Sequence, residues 1–143
     1  MNITIDKVSK MAFSATTESG HTVLMDSSPE AGGGDKGPRP MEMLLMGLGG
    51  CTAIDVVMIL EKSRQEINNC TVEITSERAT TDPKVFTNIH VHFIISAKGG
   101  RLNPDRVVRA IELSAEKYCS ASIMLGKTAT ITHDFEIIQE DQE

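Results

Sequence analysis

The sequence predicts an α+β fold in the order β-β-β-α-β-β-α-β, with antiparallel sheet packed on two helices. Three observations lead there. Both ends of the chain alternate apolar and polar residues with the period of a strand. A twenty-residue apolar run, Met41–Leu60, sits behind Pro40 and has the length of a long helix. A second helical pattern begins at Asn103-Pro104, a cap residue followed by proline at the first helical position. At 143 residues the chain fits one domain, 1–143.

Taken in order, Met11, Phe13 and Ala15 alternate with Ala12, Ser14 and Thr16. Glu18-Ser19-Gly20 then marks a turn, and His21 to Met25 resumes an extended run. Residues 27–40 hold four Gly and three Pro and read as a loop, long enough in a small domain to be functional or mobile. The 41–60 helix is apolar on nearly every side, so it needs cover all round, and a dimer core would supply it. Gly47, Gly49 and Gly50 inside it suggest a kink or a close approach of another element.

Residues 70–79 and 85–97 read as two strands around Thr81-Asp82-Pro83. Cys70, Val72 and Ile74 share one face of the first; Val85, Thr87, Ile89, Val91, Phe93 and Ile95 share one face of the second. The next helix is expected to run from Pro104 to about Cys119 with Val108, Ile111, Ala115 and Cys119 on one stripe. A short helix or turn follows, Ser120 to Leu125. Residues 128–138 form a last strand whose apolar face holds Ala129, Ile131, His133, Phe135 and Ile137, His133 reading as a hydrogen-bonded core histidine. The acidic tail 139–143 is expected to fray.

Composition removes several function classes. A net charge of −6 and a pI near 5.2 argue against nucleic acid or anionic membrane as the partner. One Tyr, four Phe and no Trp leave little for base stacking. The first residues lack a basic head before an apolar run, so no signal peptide is read. Glu42 and Asp55 within the 41–60 run favour a helix buried in protein over a membrane span, and the expected location is cytoplasmic. In a reducing compartment the three cysteines are buried filler, a metal site or redox chemistry.

Cys51 and Cys119 are the thiols placed for chemistry. If the long helix breaks at Gly49-Gly50, Cys51 begins its second half, where unpaired N–H groups favour a thiolate. Cys119 would then resolve a sulfenic acid on Cys51. The bland alternative is that both are small buried residues, the reading preferred for Cys70. His90 and His92 share a strand face. No Cys or acid pattern accompanies them in the sequence, so they read as a polar or dimer face, and no metal is expected. The Gly-rich loop lacks the Lys-Ser/Thr of a phosphate loop, and no Gly-x-Ser-x-Gly is present.

Residues 40–55, Pro-Met-Glu-Met-Leu-Leu-Met-Gly-Leu-Gly-Gly-Cys-Thr-Ala-Ile-Asp, resemble the signature helix of the OsmC/Ohr family. Residues 114–120, Ser-Ala-Glu-Lys-Tyr-Cys-Ser, resemble its second-cysteine motif. The 68-residue spacing of the cysteines and the element order also fit, and the match is nearest to a YhfA-like subgroup. The resemblance implies an OsmC-like fold and an intertwined homodimer with two central helices and sites at the subunit interface. It further implies reduction of organic hydroperoxides, with Cys51 peroxidatic and Cys119 resolving. No bound cofactor is implied; a thiol or dithiol such as a lipoyl group would regenerate the enzyme. Three positions depart from the pattern. The turn Thr17-Glu18-Ser19-Gly20 lacks the family's Arg, Met41 stands where Glu is usual with the acid one residue on at Glu42, and Ser120 replaces a Pro. Arg39 is the candidate substitute for the missing cation, and Glu42 for the displaced acid. The alternative function is a non-catalytic apolar-ligand binding or redox-sensing protein on the same fold.

Overall fold

The structure is a computed structural model that describes residues 1–138; the tail read as fraying lies outside the described residues. The chain divides into two compact units, Met1–Met46 and one beginning at Gly47.

The first unit is a three-stranded antiparallel meander, β1 (Ile3–Ser9), β2 (Ala12–Thr17) and β3 (Thr22–Met25), in the order β1-β2-β3. Its second turn closes where the Thr17 N–H donates to His21 C=O at 2.9 Å and Gly20 takes a positive φ of 84°, which glycine adopts freely. The glycine-rich loop that follows is tied rather than slack. Asp26, only 2% exposed, accepts N–H bonds from Ser27 (2.7 Å), Gly34 (3.1 Å) and Lys36 (3.1 Å). Gly37 lies so close to β3 that a Cβ there would stand 2.5 Å from Leu24 O.

Burial pushes the Asp26 pKa up, but the N–H donors of Lys36, Ser27 and Gly34, aided by Arg39, prevail and hold it below the ordinary value. A lowered folded-state pKa contributes stability above the unfolded value of about 3.9, lost as pH falls through the folded value. Asp26→Asn is therefore expected to lower the melting temperature at neutral pH, with the gap to the parent closing in acid. Melting curves across that range decide it; a gap independent of pH would assign the effect to shape rather than charge.

Helix α1 (Pro40–Lys62) carries the chain from the first unit into the second. Its start is a half capping box: the Arg39 N–H donates to Glu42 Oε1 at 2.8 Å. The helix is continuous through Gly47, Gly49 and Gly50, so the expected break is not there. Only the close approach is observed, since a Cβ on Gly49 would lie 3.0 Å from Ile74 Cδ1, while Gly47 and Gly50 face open space. Nor does one copy of the chain cover the helix. Leu48, Thr52, Val56 and Leu60 are enclosed, whereas Leu44, Met46, Ile54 and Met58 are 46–64% exposed. Length and hydropathy alone would let α1 cross a membrane. Its contact with Ile74 and its hydrogen bond to Ser114 make its second part a packed element of the second unit.

The second unit holds β4 (Ile67–Arg78), β5 (Phe86–Ala97) and β6 (Thr130–Ile138), in the order β4-β5-β6. β4 and β5 are antiparallel, but β6 runs parallel to β5, so the sheet is mixed rather than antiparallel throughout. The connection makes the difference: a helical crossover of some thirty residues returns the chain to start β6 beside the start of β5. Central β5 is the core, with Ile89, Val91, Phe93 and Ile95 at most 1% exposed. Its alternation slips near Phe86, where the register shifts. Phe86 is therefore buried while Val85 and Thr87, expected on the inner face, are exposed. β6 alternates as expected from Ile131 to Ile137.

The crossover opens with α2 (Pro104–Leu113), capped by Asn103, whose side chain accepts the Asp105 N–H at 2.9 Å. The helical path reaches Tyr118, as expected to within a residue, but its last turn is not α-helical. A π-helical turn, Ser114–Tyr118, follows, with the Cys119 N–H donating to Ser114 C=O at 2.8 Å, and then α3 (Ser120–Leu125). The buried stripe is accordingly Val107, Ala110, Ile111 and Ser114. Val108, expected inside, is 40% exposed.

Candidate functional site

Cys51 and Asp55 stand four residues apart on α1 and share a face, as helical geometry requires. Opposite them the π turn ends at Cys119, whose backbone is extended (φ −79°, ψ 98°) rather than helical. The wider turn brings Ser114 and Cys119 both to this face of α1. Ser114 Oγ lies 2.8 Å from Thr52 Oγ1 and donates to Asp55 Oδ2 at 3.1 Å. The sulfurs of Cys51 and Cys119 and a carboxylate oxygen of Asp55 all lie within 4.8 Å of one another. Both cysteines are free thiols.

The two thiols differ in setting. Cys119 is fully enclosed, and its sulfur caps α3 by accepting the Ser122 N–H at 3.4 Å. Burial pushes its pKa up to about 11; a hydrogen bond with Cys51 and the nearby charges of Cys51 and Asp55 act in the same direction, opposed by the Ser122 N–H. Cys119 is thus a protonated thiol at rest. Cys51 is half-buried and is the one of the two that solvent reaches. It lies in mid-helix, eleven residues beyond Pro40, beyond the reach of the helix dipole's first turn.

The structure therefore brings together Cys51 and Cys119 and adds Asp55, Ser114 and Thr52, which reading the sequence left without a role. The four-residue step from Cys51 to Asp55 was a visible signal for the first of these; Ser114 was marked only by opening the motif of the second cysteine. Arg39 and Glu42 have partners within the first unit. The Arg39 guanidinium donates to Gly37 C=O at 3.0 Å and pairs with Asp35 at 2.7 Å, and Glu42 holds the helix start. Cys70 is half-buried on β4, where burial raises its pKa, in keeping with a packing role.

Chemically, two thiols this close can pass between dithiol and disulfide with a shift of the side chains toward the bonding distance of about 2.05 Å. The same S, S and O donors could also hold a soft cation. Elsewhere in this unit His133 departs from expectation. Its Nε2 is buried with no hydrogen-bond partner, and burial, with His90 nearby, lowers its pKa. His133 lines a groove of about 600 Å³ between α2 and β6, with Val108, Ile111, Ile131 and Phe135.

Comparison with known proteins places these features in a group. Residues 32–134 match the family described as OsmC-like protein. The chain is 47% identical over 138 residues to Protein YhfA of Escherichia coli strain K12, which covers 96% of this chain and 98% of that one. A hypothetical protein from Aquifex aeolicus VF5 superposes with a TM-score of 0.84 at 27% identity, over 98% of this chain and 97% of that one. The organic hydroperoxide resistance protein OsmC of Legionella pneumophila superposes at 0.70 over 95% and 97%; at 13% identity that likeness is one of fold.

Proposed function

The chain belongs to the OsmC-like family, and from that premise we propose that it is a thiol-dependent peroxidase acting on organic hydroperoxides in defence against oxidative stress. One observation carries the reading: an accessible thiol, Cys51, with a second, enclosed thiol within 4.8 Å. The Cys51 thiolate attacks the terminal oxygen of ROOH. The O–O bond breaks, the alcohol ROH leaves with a proton, and Cys51 carries a sulfenic acid. The Cys119 thiol then attacks that sulfur, the S–O bond breaks, water leaves and a disulfide closes. An external dithiol, such as a lipoyl group, reduces it and becomes a disulfide itself. Asp55 is an acceptor at hand for the thiol protons. Burial of Cys119 suits the second step, because a protonated, enclosed thiol does not compete for peroxide.

A second copy of the chain is proposed as the cover for the exposed side of α1. The exposed Leu44, Met46, Ile54 and Met58 form an apolar surface of the kind a homodimer buries. A cytoplasmic location, where dithiol reductants are maintained, is part of the same proposal.

Peptide mapping without reductant, after one equivalent of an organic hydroperoxide, should find Cys51 joined to Cys119 and Cys70 still free. Should all three thiols persist while peroxide disappears no faster than in buffer, the reading fails.

A second reading, apolar-ligand binding or redox sensing without turnover, is favoured by the groove beside His133. Its volume lies in the range of small-molecule sites, and Val108, Ile111, Ile131 and Phe135 give it an apolar lining beside the carboxylates of Glu112, Glu116 and Asp134. In that case a lipid-like fluorescent probe binds saturably, and Cys51→Ser leaves its binding intact.

A further inference from the structure

The outer face of the second sheet carries a cluster that the peroxidase reading does not use. His90 and His92, two apart on β5, project from the same face. The parallel pairing sets Thr132 beside His90 and Asp134 beside His92. Asp134 Oδ1 accordingly lies 2.9 Å from His90 Nε2 and 2.6 Å from His92 Nδ1. A carboxylate oxygen only accepts, so both ring nitrogens donate N–H bonds to it. His90 Nδ1 is held at 2.6 Å from Thr132 Oγ1, which fixes the ring. The acid that the sequence seemed to lack beside these histidines comes from a strand 42 residues further on.

From this arrangement we propose that His90, His92 and Asp134 form a binding site for a divalent transition-metal ion of the borderline class, Zn²⁺ above all. Two imidazole nitrogens and a carboxylate oxygen are donors such ions prefer. The three ligand atoms lie within 4.8 Å of one another. Bonds of about 2.1 Å in a tetrahedral site separate ligand atoms by about 3.4 Å. The carboxylate contacts must open by less than about 1 Å to reach that, and side chains 27–58% exposed have room to do so. Glu136, 3.9 Å from His92 Nε2, and Glu73, paired with His92 across β4, add negative charge around the site. Thr132 acts as a positioning residue through His90. Three protein ligands leave a fourth position for water. The ion ties β5 to β6 and displaces the ring protons that now face Asp134, so binding weakens in acid.

The thiol pair is a competing metal site, and the test must separate the two. Co²⁺ added to the reduced full-length chain reports both: thiolate ligation gives an intense near-ultraviolet charge-transfer band, while nitrogen and oxygen ligation gives visible d–d bands without it. The expected result is a d–d component, displaced by Zn²⁺, that survives Cys51→Ser. His92→Asn and Asp134→Asn should each weaken it by about tenfold or more, and Thr132→Val should weaken it less, by analogy with supporting residues at metal sites. These side chains are on the solvent face, and metal-free melting curves confirm that each variant folds. If the only cobalt signal is the charge-transfer band, or if His92→Asn leaves the d–d component unchanged, the metal site does not exist. Peroxide turnover is a separate readout, so failure of one idea leaves the other standing.

Discussion

Replacing Cys51 with Ser is expected to abolish dithiol-supported turnover of an organic hydroperoxide, by more than about 10³-fold, because the other thiol of the site, Cys119, is enclosed and protonated. The hydroxyl of serine is far less nucleophilic toward an O–O bond than a thiolate. The variant should fold, since the change is nearly isosteric and the site is only half-buried. Cys119→Ser separates the steps. It should still consume peroxide, because Cys51 remains, taking about one equivalent to the sulfenic acid and a second to the sulfinic acid for want of a thiol partner, and then stop. Coupled peroxidase assays of both variants, with intact-mass spectra after a single addition of peroxide, decide the matter. Turnover by Cys51→Ser within tenfold of the parent would remove Cys51 from the chemistry.

Phe93→Ala is expected to cost about 3–5 kcal/mol, a large share of the roughly 5–15 kcal/mol that holds a typical domain together. Phe93 is fully buried on β5, the strand bonded on both sides, to β4 at Val72 and to β6 at Phe135. Its ring stacks on that of His133 with centroids 6.4 Å apart. Truncation would leave a cavity that paired strands on either side cannot close, next to an imidazole nitrogen that already lacks a partner. Urea denaturation at fixed protein concentration should show a lower midpoint with an unchanged slope. A loss below about 1 kcal/mol would mean that the sheet collapses around the gap.

The elements that the sequence revealed are those whose signals are local. Pro40 marks the start of α1, Asn103-Pro104 caps α2, and alternation from Ile131 to Ile137 draws β6. Features set by partners distant in the chain were hidden. The parallel pairing of β6 depends on how the crossover returns, which alternation does not record. The Asp134 carboxylate reaches the histidines only through that pairing. The glycines of α1 suggested a break because glycine weakens an isolated helix; in the fold, Ile74 seated against Gly49 accounts for one of them and the helix runs on. At the site, the two thiols were legible from their motifs; Asp55 was left without a role, although its four-residue step from Cys51 was there to be read. Ser114 was not legible, because its place depends on a turn wider than the 3.6-residue period assumed along 104–119.

That π turn amounts to one extra residue carried inside a helix, and it makes the thiol pair a matter of counting as much as of chemistry. Each residue of an α-helix turns the next by about 100°. Were the five steps from Ser114 to Cys119 taken at that pitch, they would turn about 500° and leave the sulfur about 140° round the helix from Ser114; the wider π turn is what brings the two to one face. Tightening of 114–118 into an ordinary α-turn, with no residue lost, would therefore retire the site while both cysteines remained. Whether a related sequence keeps the wider turn tells more about the site than the presence of the two cysteines does.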